Sequence, residues 1–327
     1  MTENTVGEKS VNTPASIRRR DLLRGGVAAS LGTLMGSAMQ NHAEAGESND
    51  GYIDAHSHVW SRDVKRFPLA DGRTVDDLQP TSFTPLELMA VARPVGVTRV
   101  VLIQHDVFHA FDNSYLIHVA AEQPDRFRVV GKLNHLQPHA DRSMRELLPR
   151  QVTSFRITSR FPSSDRWLEG PGMASMWACA AETRQSLGCL IDAQDLPAVD
   201  AMCAKFPETP VVIDHFARIG VDGEIRDMDV RNLCRLARHM HTYVKLSAYY
   251  ALGKKRPPYD DLAPMIRQLL DAFGPERLMW ASDSPYQLDG DNTYAESIAL
   301  IRDRLDFISA SDRLWLLRKT AEKVYWL

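Results

Sequence analysis

Short apolar runs, rich in Val, Ile and Leu, alternate with longer stretches of helical periodicity through most of the chain. Apolar runs of this kind are typical of parallel strands that are buried on both faces. Eight strands are predicted, at residues 52–56, 99–104, 127–133, 152–157, 187–192, 211–214, 243–246 and 278–282.

The alternation of strands and helices over about 270 residues predicts a single α/β domain with a (β/α)8 TIM-barrel fold. A doubly wound sheet is the alternative. No Gly-x-Gly-x-x-Gly follows a predicted strand, so the dinucleotide-binding version of that sheet lacks its signature. The predicted helices include residues 85–93, 114–122, 174–186, 229–241, 259–273, 293–305 and 311–325.

The first 45 residues have a different composition from the rest. Arg18, Arg19 and Arg20 precede a weakly apolar stretch rich in Gly and Ala, and small residues then lead to Gly46. This order resembles a twin-arginine export signal, which predicts a periplasmic protein; a disordered basic N-terminus is the alternative. The apolar stretch is too short for a stable membrane span. We therefore expect a signal peptide at 1–45 and one catalytic domain at 46–327.

The composition is that of an ordinary globular protein, with 44% hydrophobic residues, 25% charged residues and a net charge of -3 over 327 residues. With no basic tract in the body of the chain, we expect no nucleic-acid partner. The four cysteines include no Cys-x-x-Cys pair, which favours buried thiols, with a disulfide as the alternative. Barrels of this size often self-associate, so a homo-oligomer is also expected.

Histidines and an aspartate follow three of the predicted strands. His56 and His58 end the first strand, His215 follows the sixth, and Asp283 follows the eighth. Residues two apart in a strand point the same way, so His56 and His58 can converge on one metal ion or substrate oxygen. In a parallel barrel the carboxyl ends of all strands meet at the catalytic face.

These motifs resemble the amidohydrolase superfamily, in particular its lactonase-like branch, which acts on pyrone dicarboxylates, sulfomuconolactones and sugar lactones. The resemblance implies a distorted TIM barrel and attack of water on a lactone carbonyl, with Asp283 as the general base and His56, His58 and His215 around it. The matching segments are Ile53-Asp54-Ala55-His56-Ser57-His58-Val59-Trp60, Asp214-His215-Phe216-Ala217-Arg218, Val244-Lys245-Leu246-Ser247 and Trp280-Ala281-Ser282-Asp283-Ser284-Pro285.

The chain departs from the metal-dependent pattern of that superfamily. No histidine ends the fifth strand and no lysine ends the fourth, which argues against two metal ions. His56, His58, His215 and Asp283 are nevertheless suited to one Zn²⁺. In the metal-free alternative, Asp283 activates water itself and the histidines polarise the carbonyl. Ser284 and Tyr286 also differ from the residues usual after this aspartate, which predicts a different substrate pocket.

Cations at predicted strand ends favour a small anionic lactone as substrate. Arginine binds carboxylate or sulfonate groups through paired hydrogen bonds. The alternative is that Arg156 and Lys245 pair with buried acids such as Asp54 or Asp192. For Tyr249 and Tyr250, packing in the core or at the rim is the alternative to substrate contact, and His105 is expected to support the site through a hydrogen bond. The candidate substrate-binding residues are Arg156, Arg160, Arg218, Lys245, Tyr249 and Gln104.

The sequence thus predicts a hydrolase that opens an anionic lactone. A metal-dependent decarboxylase and a sugar-lactone isomerase on the same scaffold are the enzyme alternatives. The non-enzyme alternative is a periplasmic binding protein that has lost catalysis, and Asp283→Asn discriminates this class, because a binding protein has no turnover to lose.

Overall fold

Eight parallel strands follow one another around a single sheet, each hydrogen-bonded to the next from the first to the eighth. The arrangement confirms the predicted (β/α)8 barrel, in its distorted form, and every predicted strand is present with bounds that differ by at most two residues. The strands are β1 Tyr52–Ser57, β2 Val97–Ile103, β3 Phe127–Gly131, β4 Val152–Thr158, β5 Ser186–Leu190, β6 Val211–Ile213, β7 Thr242–Leu246 and β8 Leu278–Trp280.

The computed structural model describes residues 50–137, 139–159 and 167–327. The predicted export signal at 1–45 and the candidate Arg160 lie outside these residues. The helices are α1 Pro85–Ala92, α2 Asp106–His109, α3 Ser114–Glu122, α4 Ala140–Leu147, α5 Pro171–Thr183, α6 Leu196–Lys205, α7 Asp227–Arg235, α8 Ala263–Phe273, α9 Tyr294–Ala299, α10 Ala310–Leu314 and α11 Thr320–Tyr325.

Local signals explain where helix α1 begins. The Thr84 side chain accepts a hydrogen bond from the Glu87 amide, and Glu87 in turn accepts one from the Thr84 amide at 2.7 Å. This reciprocal cap satisfies amides that the first helical turn leaves without a partner. Pro85 occupies the first helical position, where its missing N–H costs nothing.

The two predicted C-terminal helices are each interrupted by wider π-helical turns. Helix α9 continues into such a turn at Leu300–Arg304, and another, at Trp315–Lys319, joins α10 to α11. The apolar periodicity that predicted each helix does not distinguish α-helical from π-helical turns, so the interruptions were not visible in it.

The core has an outer layer between strands and helices and a smaller inner layer inside the barrel. Side chains of α11 belong to the inner layer and close one end of the barrel. The inner layer consists of Ile53, Ala55, Val101, Ile103, Val130, Val212, Tyr243, Met279, Ala281, Ala321, Val324 and Tyr325.

A β-bulge in β1 decides which way the histidines of that strand point. Asp54 is paired with Val100, but Ser57 is paired with Leu102, so β1 holds one extra residue. A bulge reverses the alternation of side chains beyond it. Ile53 and Ala55 therefore face the inside of the barrel before the bulge, and His56 and His58 face it afterwards.

The Asp54 carboxylate holds this bulge and closes the seam between β8 and β1. It is fully buried and accepts hydrogen bonds from the His56 amide at 3.0 Å and the Ser57 hydroxyl at 2.8 Å. Across the seam it accepts from the Ser282 amide and hydroxyl, at 2.9 and 2.6 Å, and from the Tyr294 hydroxyl at 2.8 Å. One side chain thus joins both edge strands and helix α9.

The remaining sequence expectations concern cysteines and membrane spans. All four cysteines are free thiols, and burial raises the pKa of Cys203 to about 11. Within the described ranges no helix combines the length and apolarity needed to cross a bilayer.

We predict a graded loss of stability on changing Asp54. Asp54→Ala leaves five buried donors without their acceptor and lowers the free energy of unfolding by on the order of 3 kcal/mol, while Asp54→Asn retains one acceptor oxygen and loses less. Urea denaturation measures both. Asp222→Asn, at an exposed ion pair, is the control and leaves the midpoint nearly unchanged. Equal midpoints for wild type and Asp54→Ala would show that the seam does not depend on this carboxylate.

Candidate active site

A cavity of about 290 Å³ opens at the carboxyl ends of the strands. Its polar lining comes mainly from residues that directly follow strands. The lining residues are His58, His105, Asp106, Val107, Arg156, Leu190, His215, Arg218, Ala248, Tyr250, Ala251, Leu252, Asp283 and Tyr286.

Asp283 has three histidines and a tyrosine around its carboxylate. Its Oδ1 atom lies 3.4 Å from Nε2 of His56 and 3.4 Å from Nε2 of His58. Its Oδ2 atom lies 3.9 Å from Nε2 of His215 and accepts a 2.7 Å hydrogen bond from the Tyr250 hydroxyl. Only 6% of the residue is exposed, so its remaining open side faces the cavity.

The backbone turns Asp283 into the cavity directly after β8. Asp283 has a φ of 62°, in the left-handed region that residues other than glycine seldom adopt. Its amide donates a 2.8 Å hydrogen bond to the His56 carbonyl, so the strand that carries the histidines also holds the turn. Backbone strain of this kind clusters at functional sites.

His56 is fully buried between two cations. Its Nε2 lies 2.9 Å from Nη2 of Arg156, and its Nδ1 lies 3.2 Å from Nζ of Lys245. Asp214 pairs with both cations, at 3.2 Å to Arg156 and 3.1 Å to Lys245, and lies 3.5 Å from His56 Nδ1. Because Arg156 only donates, Nε2 of His56 is the acceptor in that contact, whereas Nδ1 faces both Asp214, which only accepts, and Lys245, which only donates.

The environment of the cavity keeps the Asp283 carboxylate ionised and two of the nearby imidazoles neutral. Burial, followed by the field of Lys245, holds the pKa of His56 well below its usual value, and burial also lowers the pKa of His215. Burial alone would raise the pKa of Asp283, but His215 and the hydrogen bond with His58 outweigh it and lower that pKa. At neutral pH an ionised carboxylate therefore faces neutral His56 and His215.

His215 and Arg218 reach the cavity from a left-handed turn after β6. All four residues from His215 to Arg218 have φ between 52° and 54°. This conformation costs a residue other than glycine about 1–2 kcal/mol, so packing must hold it. Phe216 and Ala217 in the turn are fully buried, and Nδ1 of His215 lies 2.8 Å from the Ser247 hydroxyl.

His58 is oriented by the neighbouring strand. Its Nδ1 lies 3.0 Å from the carbonyl oxygen of Ile103, which only accepts hydrogen bonds, so Nδ1 carries a proton. Its Nε2 lies 3.4 Å from Oδ1 of Asp283. Metal-binding histidines commonly have this backbone support on their other nitrogen.

Three of these side chains could hold one metal ion. Among the described residues, His56, His215 and Asp283 bring one ligand atom each to within 4.8 Å of one another. Two imidazoles and a carboxylate are a donor set that catalytic zinc uses, with water in the fourth position. His58 adjoins this group through its 3.4 Å contact with Asp283 but is not a member of it.

The sequence profile of a family described as amidohydrolase matches residues 53–327. The chain belongs to the amidohydrolase family. It is 29% identical over 240 residues to a 4-sulfomuconolactone hydrolase of Rhizobium radiobacter, a match covering 72% of this chain and 76% of that protein. It is 27% identical over 237 residues to an L-fucono-1,5-lactonase of Burkholderia ambifaria, covering 71% and 80% respectively.

Solved structures of the family share the barrel of this amidohydrolase. A zinc-bound amidohydrolase of Burkholderia multivorans superposes with a TM-score of 0.70 at 22% identity, covering 84% of this chain and 99% of the other. The family and the lactone-hydrolysing relatives together make this chain a hydrolase.

The structure brings together the four residues that the resemblance placed in the amidohydrolase site. His56, His58, His215 and Asp283 converge as described above, and two of the expected cations, Arg156 and Arg218, also line the cavity. Their individual roles stay predictions.

The remaining cation, Lys245, lies in the buried ion-pair cluster and is 1% exposed. The acid that pairs with Arg156 and Lys245 is Asp214, where the sequence suggested Asp54 or Asp192. Asp192 instead pairs with Arg218 at 2.8 Å. Burial alone would raise the pKa of Asp214, but Lys245, His56 and Arg156 outweigh it and lower that pKa well below its usual value.

Two expected substrate contacts lie away from the cavity lining. Tyr249 is fully buried with its ring centroid 5.4 Å from that of Tyr259, and within the described chain its hydroxyl has no hydrogen-bond partner. Its neighbour Tyr250 lines the cavity instead. The Gln104 side chain is 2% exposed and donates a 2.6 Å hydrogen bond to the Asp112 carbonyl, which places it in support of the loop after β2.

Sequence patterns provide only a weak signal for several residues of the site. Asp214 could have been found by extending the alternation of β6 from the inward-facing Val212. Tyr250, and the hydrogen-bonded pair of His105 and Tyr286, depend on loop turns that carry no periodic signal. His105 is also held neutral, because burial and the nearby His58 keep its pKa well below the usual value.

Proposed function

We propose that this amidohydrolase opens a small anionic lactone by attack of water on the ring carbonyl, with Asp283 as the general base. The observation that carries the proposal is the position of the Asp283 carboxylate, which faces the cavity with His56, His58 and His215 around it. The two lactone-hydrolysing relatives support this class of substrate.

Asp283 accepts a proton from the attacking water, since a positioned carboxylate can serve as general base. Hydrogen-bond donors then stabilise the negative charge that develops on the carbonyl oxygen. The Arg156 guanidinium, oriented by Asp214, supplies N–H groups at the cavity wall. In the zinc-free site, a Ser247 hydroxyl that donates to Nδ1 would leave the His215 proton on Nε2, directed to the same region.

Arg218 is the residue that we assign to the anionic substituent of the lactone. It lines the cavity, its side chain is 23% exposed, and Asp192 engages Nη1 of the guanidinium. A carboxylate or sulfonate approaching through the cavity meets the guanidinium's other nitrogens and forms charge-assisted hydrogen bonds.

We also propose that His56, His215 and Asp283 hold one zinc ion. The donor types and their mutual distances fit such an ion, and the zinc-bound relative in Burkholderia multivorans supports the choice of metal. A bound zinc would lower the pKa of the attacking water to about 7. Arg156 donates to the same His56 nitrogen that faces Asp283, so zinc and this hydrogen bond compete.

Zinc binding gives the first test. After dialysis against limiting zinc, we expect about one zinc per chain by elemental analysis, and far less in His215→Asn. Arg156→Met removes a competing cation and binds zinc roughly tenfold more tightly. Zinc-free wild type in all preparations, with full lactone turnover, would contradict the metal site and leave water activation to Asp283 alone.

Asp283→Asn tests the general base. We expect kcat to fall at least 10²-fold on 4-sulfomuconolactone or L-fucono-1,5-lactone, with KM within a few-fold, because the amide cannot accept the water proton. The assay is run with and without added zinc. Retained turnover in the variant would remove Asp283 from this role, and release of CO₂ from aromatic carboxylates, with no lactone opened by wild type, would favour the decarboxylase.

Arg218→Gln tests the preference for an anion. The variant should raise KM roughly tenfold for 4-sulfomuconolactone, which carries negative groups, and leave KM for the uncharged L-fucono-1,5-lactone nearly unchanged. Arg226→Gln, at an exposed ion pair, is the matched control. Equal effects of Arg218→Gln on the two lactones would contradict recognition of the anion by this arginine.

A further inference from the structure

Tyr250 contacts the proposed base directly and also lines the cavity. Its hydroxyl donates a 2.7 Å hydrogen bond to Oδ2 of Asp283. The turn that carries it begins at Ala248, whose φ of 58° bends the chain so that Tyr249 enters the core and Tyr250 the cavity. The hydroxyl therefore lies beside the carboxylate at the cavity wall.

Besides removal of a proton from water, lactone opening requires transfer of a proton to the departing ring oxygen. When the ring C–O bond breaks, the departing oxygen must be protonated, unless it leaves as a stable anion. Asp283 by then holds the proton taken from water, and His56 and His58 face its Oδ1 oxygen. The Oδ2 oxygen is the one bonded to Tyr250, so the shortest hydrogen-bonded route from Asp283 towards the cavity passes through this hydroxyl.

The other phenol at the cavity wall is engaged elsewhere. Tyr286 is hydrogen-bonded to Nε2 of His105, whose ring stacks on Phe108. Tyr250 is thus the phenol whose hydrogen bond is directed to the proposed base.

We propose that Tyr250 is a catalytic residue that protonates the departing ring oxygen. This inference rests on the proposed lactone hydrolysis. As the C–O bond breaks, its electron pair stays on the ring oxygen, which takes the proton of the Tyr250 hydroxyl. Asp283 returns the water-derived proton to the Tyr250 oxygen, so both side chains end in their starting states and one water is added to the lactone.

The leaving group distinguishes this role from support of Asp283. Opening of L-fucono-1,5-lactone expels an alkoxide, which is strongly basic and needs a proton. Opening of 2-pyrone-4,6-dicarboxylate expels an enolate, which is far less basic. Loss of a proton donor therefore slows the opening of L-fucono-1,5-lactone selectively, whereas displacement of Asp283 slows both lactones alike.

The test compares kcat and KM of wild type, Tyr250→Phe and Tyr249→Phe on these two lactones. We expect Tyr250→Phe to lower kcat on the order of 100-fold for L-fucono-1,5-lactone and only a few-fold for the pyrone, with KM retained. Tyr249→Phe, which loses a buried hydroxyl outside the cavity, should match wild type.

An equal loss on both lactones would overturn the inference and leave Tyr250 as a positioning residue. So would an unchanged kcat on L-fucono-1,5-lactone. Failure of wild type to open either lactone, or 4-sulfomuconolactone, would instead overturn the proposed function, and this inference with it. Circular dichroism and the thermal midpoint of Tyr250→Phe show whether a loss of rate reflects unfolding.

Discussion

The buried carboxylate of Asp54 connects the candidate active site to the seam of the barrel, where β8 meets β1. Strands β1 and β8 are the edges that must meet for the sheet to close, and Asp54 binds groups on both. Its bond to the His56 amide also fixes the bulge that turns His56 and His58 inward. Closure of the barrel and orientation of these two histidines therefore depend on the same hydrogen bonds.

The charges inside the barrel are arranged around a second buried acid. Asp214 pairs with both Arg156 and Lys245, which would otherwise be two unpaired cations beside His56. Taking such charges out of water is costly unless each has a partner. The result is a site in which the ionised Asp283 faces neutral His56 and His215, although two cations lie against His56.

Much of the barrel was predictable from the sequence because buried parallel strands leave a strong apolar signal. The positions of His56, His215 and Asp283 followed from their place at strand ends. The expectation that His56 and His58 point together was confirmed, but their direction depends on an extra residue in β1 that no periodicity shows. The choice between Tyr249 and Tyr250 likewise depends on the left-handed Ala248, whose identity carries no turn signal. The predicted partner of Arg156 was wrong, because ion pairing between strands depends on tertiary contacts that the sequence does not show.

Helix α11 closes the floor of the barrel beneath the charged cluster, with the ring of Tyr325 lying 5.4 Å from Nζ of Lys245. In chain order this helix comes after all eight strands, so it leaves the ribosome last among them. Until it docks, water can enter the barrel from below and solvate Lys245 and Asp214. The dehydrated interior on which the proposed chemistry depends is therefore completed only after the whole barrel has been synthesised, and cannot form strand by strand on the ribosome.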